Sequence, residues 1–493
     1  MAAEPARADS RVSTPIAITA AVVAVVVARL VMMVRTNAGG DEGGFLMVGA
    51  GWHDGSSLYG DYWVDRPPLL IWITELAGNL TGLRLLGILA SVLTVLGIAW
   101  AAHIARGPGA ARWAAGAAAL FGIAQWLGVA RVNGEMLAAP FVAWSIALTL
   151  YAVLRGTAWR TPAAIGAGVL AMGALSIKQS VVEAFVFAIA LSFAVAVSRP
   201  ESRRVVVRVI AWGALGGVAI AAVMLLAAHA RGTSPSDLFD AVVTFRAEAG
   251  EVIRTSASDA TSQRLGVMLA TWAVSGLGAA TALIVWQGAR SREPILLAAA
   301  ATLLCGLVVA LFGGSYWAHY LIQLIPAASL AIGLLVDRLS RPLLHRLTAV
   351  TVTITLVNMI WALGLQPDDN GRQHTVGTWL RDAKAPADTA VVTYGQPNIL
   401  FEAGMSSPYR YLWSLPVRTR DSDLRELSAV LASPERPTWV IDWSDLESWG
   451  IDPGNTDEVL RDGYRHAATV CDKAVWLLAT DTRALPPAPK ECP

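Results

Sequence analysis

Of 493 residues, 55% are hydrophobic and 15% charged, against roughly 25% charged in an average soluble domain, which excludes a wholly soluble fold. The 38 basic and 37 acidic residues nearly cancel, leaving no basic surplus to grip a phosphate backbone along its length, so nucleic acid is not an expected partner. The balance is uneven: residues 366–493 carry a net −6 and residues 1–365 about +7, which implies two compartments.

Eleven apolar runs, some of them short, approach the ~20 residues that cross a bilayer core. They are 15–34, 83–104, 114–130, 136–154, 163–177, 181–198, 209–229, 265–287, 295–312, 320–336 and 348–365. Residues 1–14 are polar and the first run ends at Arg35 without a small-residue cleavage site, so it reads as a retained span. Short arginine-rich connections hold Arg7 and Arg11, Arg106 and Arg112, Arg155 and Arg160, Arg199, Arg203, Arg204 and Arg208, Arg290 and Arg292, then Arg338, Arg341 and Arg346. They alternate with longer connections of mixed charge. The positive-inside rule then makes the amino terminus cytoplasmic and, with an odd number of spans, puts the tail outside.

In the tail, 372–384 and 421–432 have helical spacing, whereas 389–394, 438–443 and 474–480 are short β-branched and aromatic runs, the pattern of strands. The chain therefore reads as a polytopic all-α domain of the inner membrane, residues 1–365, with outer loops at 36–82 and 230–264. A small extracytoplasmic α/β domain follows at 366–493. Cys471 and Cys492 both lie in the tail; an oxidising compartment would let them pair, and two free thiols are the other reading. Lys at only four positions, with abundant Ala and Gly, suggests a GC-rich bacterial genome.

The first outer loop concentrates the chemistry. Asp41 and Glu42 are flanked by Gly39, Gly40, Gly43 and Gly44, which lets backbone or substrate approach two carboxylates closely at the start of a helix. Alternatively, Asp41 merely caps a helix running to about His53. Further on, Asp65-Arg66-Pro67-Pro68 precedes an apolar segment with Trp63 and Trp72 nearby. A guanidinium held by rigid prolines at headgroup level suits a lipid phosphate; pairing with Asp65 or interfacial anchoring would account for it equally.

The order of three motifs, Asp41-Glu42, then Arg66-Pro67-Pro68-Leu69, then Ser315-Tyr316-Trp317-Ala318-His319-Tyr320 with Pro326, resembles the GT-C glycosyltransferases of the protein O-mannosyltransferase and aminoarabinose-transferase type. The resemblance spans most of residues 15–365. It implies inverting transfer of a sugar from a polyprenyl-phosphate carrier to an acceptor on the outer face, with Asp41 as the base and Glu42 supporting it. Arg66 falls at the family's phosphate-binding basic position. One departure is Gly44-Phe45, where several relatives carry Arg-Tyr. Transfer from a lipid fits an outer location, where the leaving phosphate needs fixed cations beside a proton-accepting carboxylate.

Lys178, His319 and Tyr320 join Arg66 as candidate donor-phosphate and lipid contacts, a lone Lys among arginines being a natural second cation; snorkelling would also explain it. Glu135 and Arg131, in the short turn after the third span, are candidates for holding the acceptor or sugar, with Arg131 neutralising Glu135, or simply forming a loop salt bridge. Asp54 and Tyr62 of the first outer loop are candidates for the same role. The segment with Phe245, Arg246 and Glu248 reads as an amphipathic helix, a cover over a cavity or a plain surface helix, and 394–413 as an acceptor-binding loop. No metal ligands are assigned, since HxxEH and paired-His spacings are lacking, although a divalent cation between carboxylates stays open. The expected partners are a polyprenyl-phosphate-linked pentose or hexose, an extracytoplasmic glycan, lipid or protein acceptor, and membrane lipids. A cell-wall glycan or lipoglycan is the favoured acceptor, and mannose or arabinose the favoured sugar. A multi-span lipid or solute transporter is the rival, and it predicts charges near mid-bilayer on broken helices.

Overall fold

The computed structural model describes residues 13–492 apart from residue 54 and residues 156–157, 256–258, 340 and 365–369. Asp54, Arg7, Arg11 and the boundary at 365/366 lie outside the described residues. In lipid every backbone N–H and C=O must find its partner within the segment, and each of the eleven apolar runs accordingly contains a helix. In chain order the helices are α1 (Thr14–Arg35), α2 (Gly40–Gly51), α3 (Pro68–Ala77), α4 (Leu80–Arg106), α5 (Pro108–Ile123), α6 (Gly134–Leu154), α7 (Arg160–Ile177), α8 (Glu183–Ser198) and α9 (Arg203–Ala230). There follow α10 (Pro235–Phe239), α11 (Phe245–Thr255), α12 (Asp259–Val274), α13 (Leu277–Ser291), α14 (Pro294–Phe312), α15 (Ile325–Leu335) and α16 (Arg341–Gly364).

Among the described residues, seven helices are long and apolar enough to cross a membrane. The pair Thr261–Val274 and Leu277–Ser291, bent by 65°, makes an eighth if it is one span. Eleven full-length spans are therefore not what the helices provide. Runs 114–130 and 181–198 became α5 and α8, each of 16 residues, which reach only ~24 Å of the ~30 Å core. The last run is an apolar helix over Ala349–Trp361.

Helices pack closely because small residues face one another, the usual means of association in lipid. Ala110, Ala111, Ala114, Ala115, Ala118 and Ala119 form the buried face of α5, and a Cβ at Gly333 of α15 would come 2.6 Å from the Ala110 carbonyl oxygen. Pro108, Pro235 and Pro294 begin α5, α10 and α14, where a missing N–H is harmless.

Beyond the bundle lies a small α/β unit. Its helices are α17 (Gly371–Ala383), α18 (Pro397–Ala403), α19 (Ser414–Arg420), α20 (Arg425–Ala432) and α21 (Thr456–Gly463). Its strands are β1 (Ala390–Thr393), β2 (Trp439–Asp442), β3 (Tyr464–Val470) and β4 (Lys473–Leu478). The sheet order is β1-β2-β4-β3. β1 and β2 are parallel, with Val391 opposite Val440, while β4 is antiparallel to both β2 and β3. The β3–β4 hairpin turns on Cys471 and Asp472, both with positive φ, the geometry that matches the twist of two strands joined by two residues. The three strands and two of the helices are where the sequence places them; β3 and the short helices α18, α19 and α21 are additions. Cys471 is bonded to Cys492, tying the end of the chain to that hairpin; Cys305 is free.

Alkylation of denatured, unreduced protein should label one thiol per chain, and three after reduction. Three labelled thiols without reduction would contradict the cross-link.

Candidate active site

The site begins with the placement of α2. Gly39 precedes the helix, and Glu42, three residues on, turns back to accept from the Gly39 N–H at 3.1 Å. The same carboxylate accepts from Arg84 of α4 through Nη2 at 2.9 Å and Nε at 3.2 Å, and from the Val132 N–H at 3.0 Å. Arg84 also donates to the carbonyls of Met33, Thr36 and Asn37 where α1 ends. Both side chains are buried. Removing one partner of such a pair leaves an uncompensated charge at ~3–5 kcal/mol. Glu42 is thus a positioning residue that fixes the register of α2 against α1, α4 and the 131–132 turn, and the reading of Asp41 as the helix cap is replaced by Gly39 and Glu42.

Freed from capping, Asp41 faces the tail. Trp413 Nε1 donates to Asp41 Oδ1 at 3.2 Å, and the Trp413 ring lies 5.4 Å from that of Phe45. The flanking glycines serve this contact: a Cβ at Gly43 would lie 2.8 Å from Asn398 Cα, and one at Gly44 would clash with Trp413. Asn398 of α18 donates to the Ala38 carbonyl at 3.0 Å. The glycines therefore admit another part of the chain's own backbone, and the small Gly44 of the Gly44-Phe45 departure is what makes room for Trp413.

Arg66 lies over the Phe45 ring, 5.7 Å from its centroid. Phe45 is four residues beyond Asp41 on α2 and so shares its face, which brings the acid and the guanidinium to one side of the helix. Asp65 pairs with both Arg66 and Arg246, and Gln179 Nε2 donates to the Asp65 carbonyl at 2.8 Å. Burial opposes ionisation of Asp65, but Arg246 and Arg66 outweigh it and hold the carboxyl below its usual range. Arg66 is thus paired with Asp65, and with Arg246 present the group keeps a net positive charge.

A second cluster adjoins. Lys178, just past α7, pairs with Glu135 in the first turn of α6, and its ammonium lies 4.2 Å from the centroid of the Tyr320 ring. His319 Nε2 is 3.9 Å from Glu135 Oε1. The charge of Asp41 reaches both Arg66 and His319, so the two clusters and the acid share one electrostatic neighbourhood. Lys178, His319, Tyr320 and Glu135 are brought together as a group.

Two assignments change. Arg131 does not neutralise Glu135: it donates through Nε to the Asn37 carbonyl at 3.2 Å and its Cδ packs against Gly39, because Lys178 already occupies Glu135. Tyr62 is drawn into the interface with the tail, its hydroxyl accepting from the Ser407 N–H at 3.1 Å. The helix α11 is no free cover. Phe245 is buried with its ring 4.4 Å from that of Trp63, and Arg420 bonds Asp240 at 2.9 Å and Glu248 at 3.1 Å. Arg84 was not singled out by the sequence reading, and Arg246 and Trp413 entered it only as members of the amphipathic segment and of the 394–413 loop, without a place in the site.

The donor set does not suit a divalent cation. Glu42 is filled by Arg84 and two amides, Glu135 by Lys178, and Asp65 by two arginines, leaving Asp41, among the candidate site's described residues, without a second carboxylate to share a hard cation. Among the described residues no three His, Cys, Asp or Glu side chains converge.

The fold is shared with two solved membrane-protein structures. ArnT from Cupriavidus metallidurans, in a crystal structure bound to undecaprenyl phosphate, is similar at a TM-score of 0.64 and 14% identity over 94% of this chain and 98% of that one. An oligosaccharyltransferase from Archaeoglobus fulgidus tethered with an acceptor peptide gives 0.55 and 13% over 87% and 69%. No family model matches the sequence, and no curated protein does.

Gly44→Leu should push Trp413 off Asp41 and raise the rate of limited proteolysis of the tail by at least about fivefold, from the lower end of the ~1–3 kcal/mol that overpacking costs. Gly109→Leu, where a Cβ meets nothing within 4 Å, is the control. Equal rates for the two would contradict the packing of the tail on α2.

Proposed function

We propose that the protein is a membrane glycosyltransferase that moves a sugar from a polyprenyl-phosphate carrier to an acceptor outside the cytoplasm. In this reading residues 1–365 form the catalytic membrane domain and 366–493 the outer domain, with the amino terminus cytoplasmic. The observation that carries it is Asp41 on the same face of α2 as a ring that supports Arg66, beside Lys178 and His319. The paired Cys471 and Cys492 favour an oxidising compartment for the tail.

Trp413 holds one oxygen of Asp41, so the other is left to accept the proton of an acceptor hydroxyl. The acceptor oxygen, its proton passed to Asp41, attacks the anomeric carbon as the bond from that carbon to the phosphate oxygen breaks, which inverts the centre. The phosphate leaves with the bonding pair, and its charge falls to Arg66 and Lys178, with His319 and Tyr320 within the same group. Glu135 positions Lys178. Asp41, Glu135, Lys178 and His319 all sit within a turn of an element's end, and Arg66 immediately before α3. That is where a pocket at the membrane boundary needs them, and not where the rival transporter reading does. The sugar is a pentose or hexose and the acceptor a glycan, lipid or protein; a cell-wall glycan or lipoglycan remains the favoured case.

Purified enzyme offered a panel of labelled polyprenyl-phosphate sugars should transfer one label to an acceptor. Asp41→Asn should lower turnover ~10²- to 10⁴-fold, and retention of more than about a tenth of turnover would reject Asp41 as the base. Arg66→Ala should raise KM for the donor more than Arg66→Lys does; equal losses would assign Arg66 to packing.

A further inference from the structure

A second basic pocket lies at the far end of α7. It has a volume of about 190 Å³ between α7 and α9 and is lined by Arg160, Thr161, Val205, Arg208, Val209 and Trp212, among others. The two helices run side by side in the same direction. A Cβ at Gly213 would lie 3.4 Å from the Ala164 carbonyl oxygen and one at Gly217 3.4 Å from that of Gly168, while a Cβ at Gly168 would clash with the Gly213 backbone. Backbones thus touch in the middle of the pair, and toward the first turns, where larger side chains begin, the helices part and leave the pocket.

Its chemistry is that of an anion site. Arg160 is fastened through Nε to the Ala152 carbonyl at 3.0 Å, which leaves its two terminal nitrogens for a ligand. Among the described residues no carboxylate pairs with Arg160 or Arg208. Glu201 is the only acidic residue in 199–212 and is not part of the lining. The open side belongs to lipid: on α9, Val207 is 66% exposed, Leu215 53% and Val218 66%, and Trp212 projects at 40%. Trp beside Arg, with apolar residues below, marks a headgroup level. The helix α7, from Arg160 to Ile177, is 18 residues long, about 27 Å at the helical rise, so the pocket lies a bilayer's core away from Lys178.

We propose that this pocket binds the phosphate of an anionic membrane phospholipid from the leaflet opposite the candidate active site. The two guanidiniums take the phosphate oxygens, Thr161 Oγ1 adds a donor, and the acyl chains lie along the exposed face of α9. A free phosphate shares the headgroup chemistry; the lipid is favoured because the pocket opens onto an apolar helix face.

The test uses the full chain in phosphatidylcholine nanodiscs containing a small fraction of photoreactive phosphatidylglycerol, with crosslinked peptides mapped by mass spectrometry. Crosslinks should concentrate on 158–164 and 205–212, exceed those from photoreactive phosphatidylcholine, and fall about tenfold or more in the Arg160→Gln/Arg208→Gln variant, as expected on losing two basic groups at an anionic surface. Inorganic phosphate at millimolar level should leave them unchanged. Crosslinks spread equally over the other arginine-rich connections would overturn the site, as would equal labelling by phosphatidylcholine; displacement by inorganic phosphate would overturn the lipid assignment. Wild-type mapping decides the matter even where the variant folds poorly.

Discussion

The ion pair between Arg84 and Glu42 is the constraint on which the candidate site rests. A guanidinium buried near the start of a spanning helix is tolerable only with its charge and its donors matched. Here one carboxylate and three carbonyls do so. Because those carbonyls close α1 and that carboxylate opens α2, the pair sets where α2 starts and which way its first turn points. Glu42 looks into the bundle and Asp41, its neighbour, is turned out toward the tail. Two adjacent acids thereby acquire different tasks, one spent on structure and one left for a reaction.

The α/β unit completes what the bundle begins. Trp63 pairs in backbone with the tail, its N–H donating to the Arg410 carbonyl at 2.9 Å, while Arg410 reaches the Tyr59 carbonyl at 2.6 Å. With Asn398 on Ala38 and Trp413 on Asp41, the tail clasps both ends of the first loop. Arg246 of α11 joins the same assembly through Asp65. The acid, its hydrogen-bond donor and the cations come from segments hundreds of residues apart, so the site exists only when loop and tail are docked.

The membrane class, the helical positions of all eleven apolar runs and three of the four strands were legible from composition and periodicity. Two runs fell short as spans because their helices stop after 16 residues, at breaks that apolar composition conceals. β3 escaped because it is an edge strand with polar residues on its open face, so its sequence, YRHAATV, lacks a strand's apolar run. Asp41, Arg66, Lys178 and His319 stood out as charges or donors at the rims of apolar segments, and these the structure gathers. Arg84 and Arg246 did not, since their partners lie 42 and 181 positions away in sequence. An arginine inside an apolar run was the one available signal for Arg84. For Trp413, 372 positions from Asp41, the signal was indirect: the glycines around the acid pair required a close neighbour without saying which.

In the proposed reaction Asp41 and a resident set of cations face a single lipid-linked phosphate. A cryo-electron microscopy map of the full chain with a polyprenyl phosphate bound tests it most directly. The phosphate is expected within hydrogen-bonding distance of Arg66 and Lys178, on the side of α2 that carries Asp41. A phosphate held elsewhere, with Arg66 and Lys178 still bound only to Asp65 and Glu135, would contradict it.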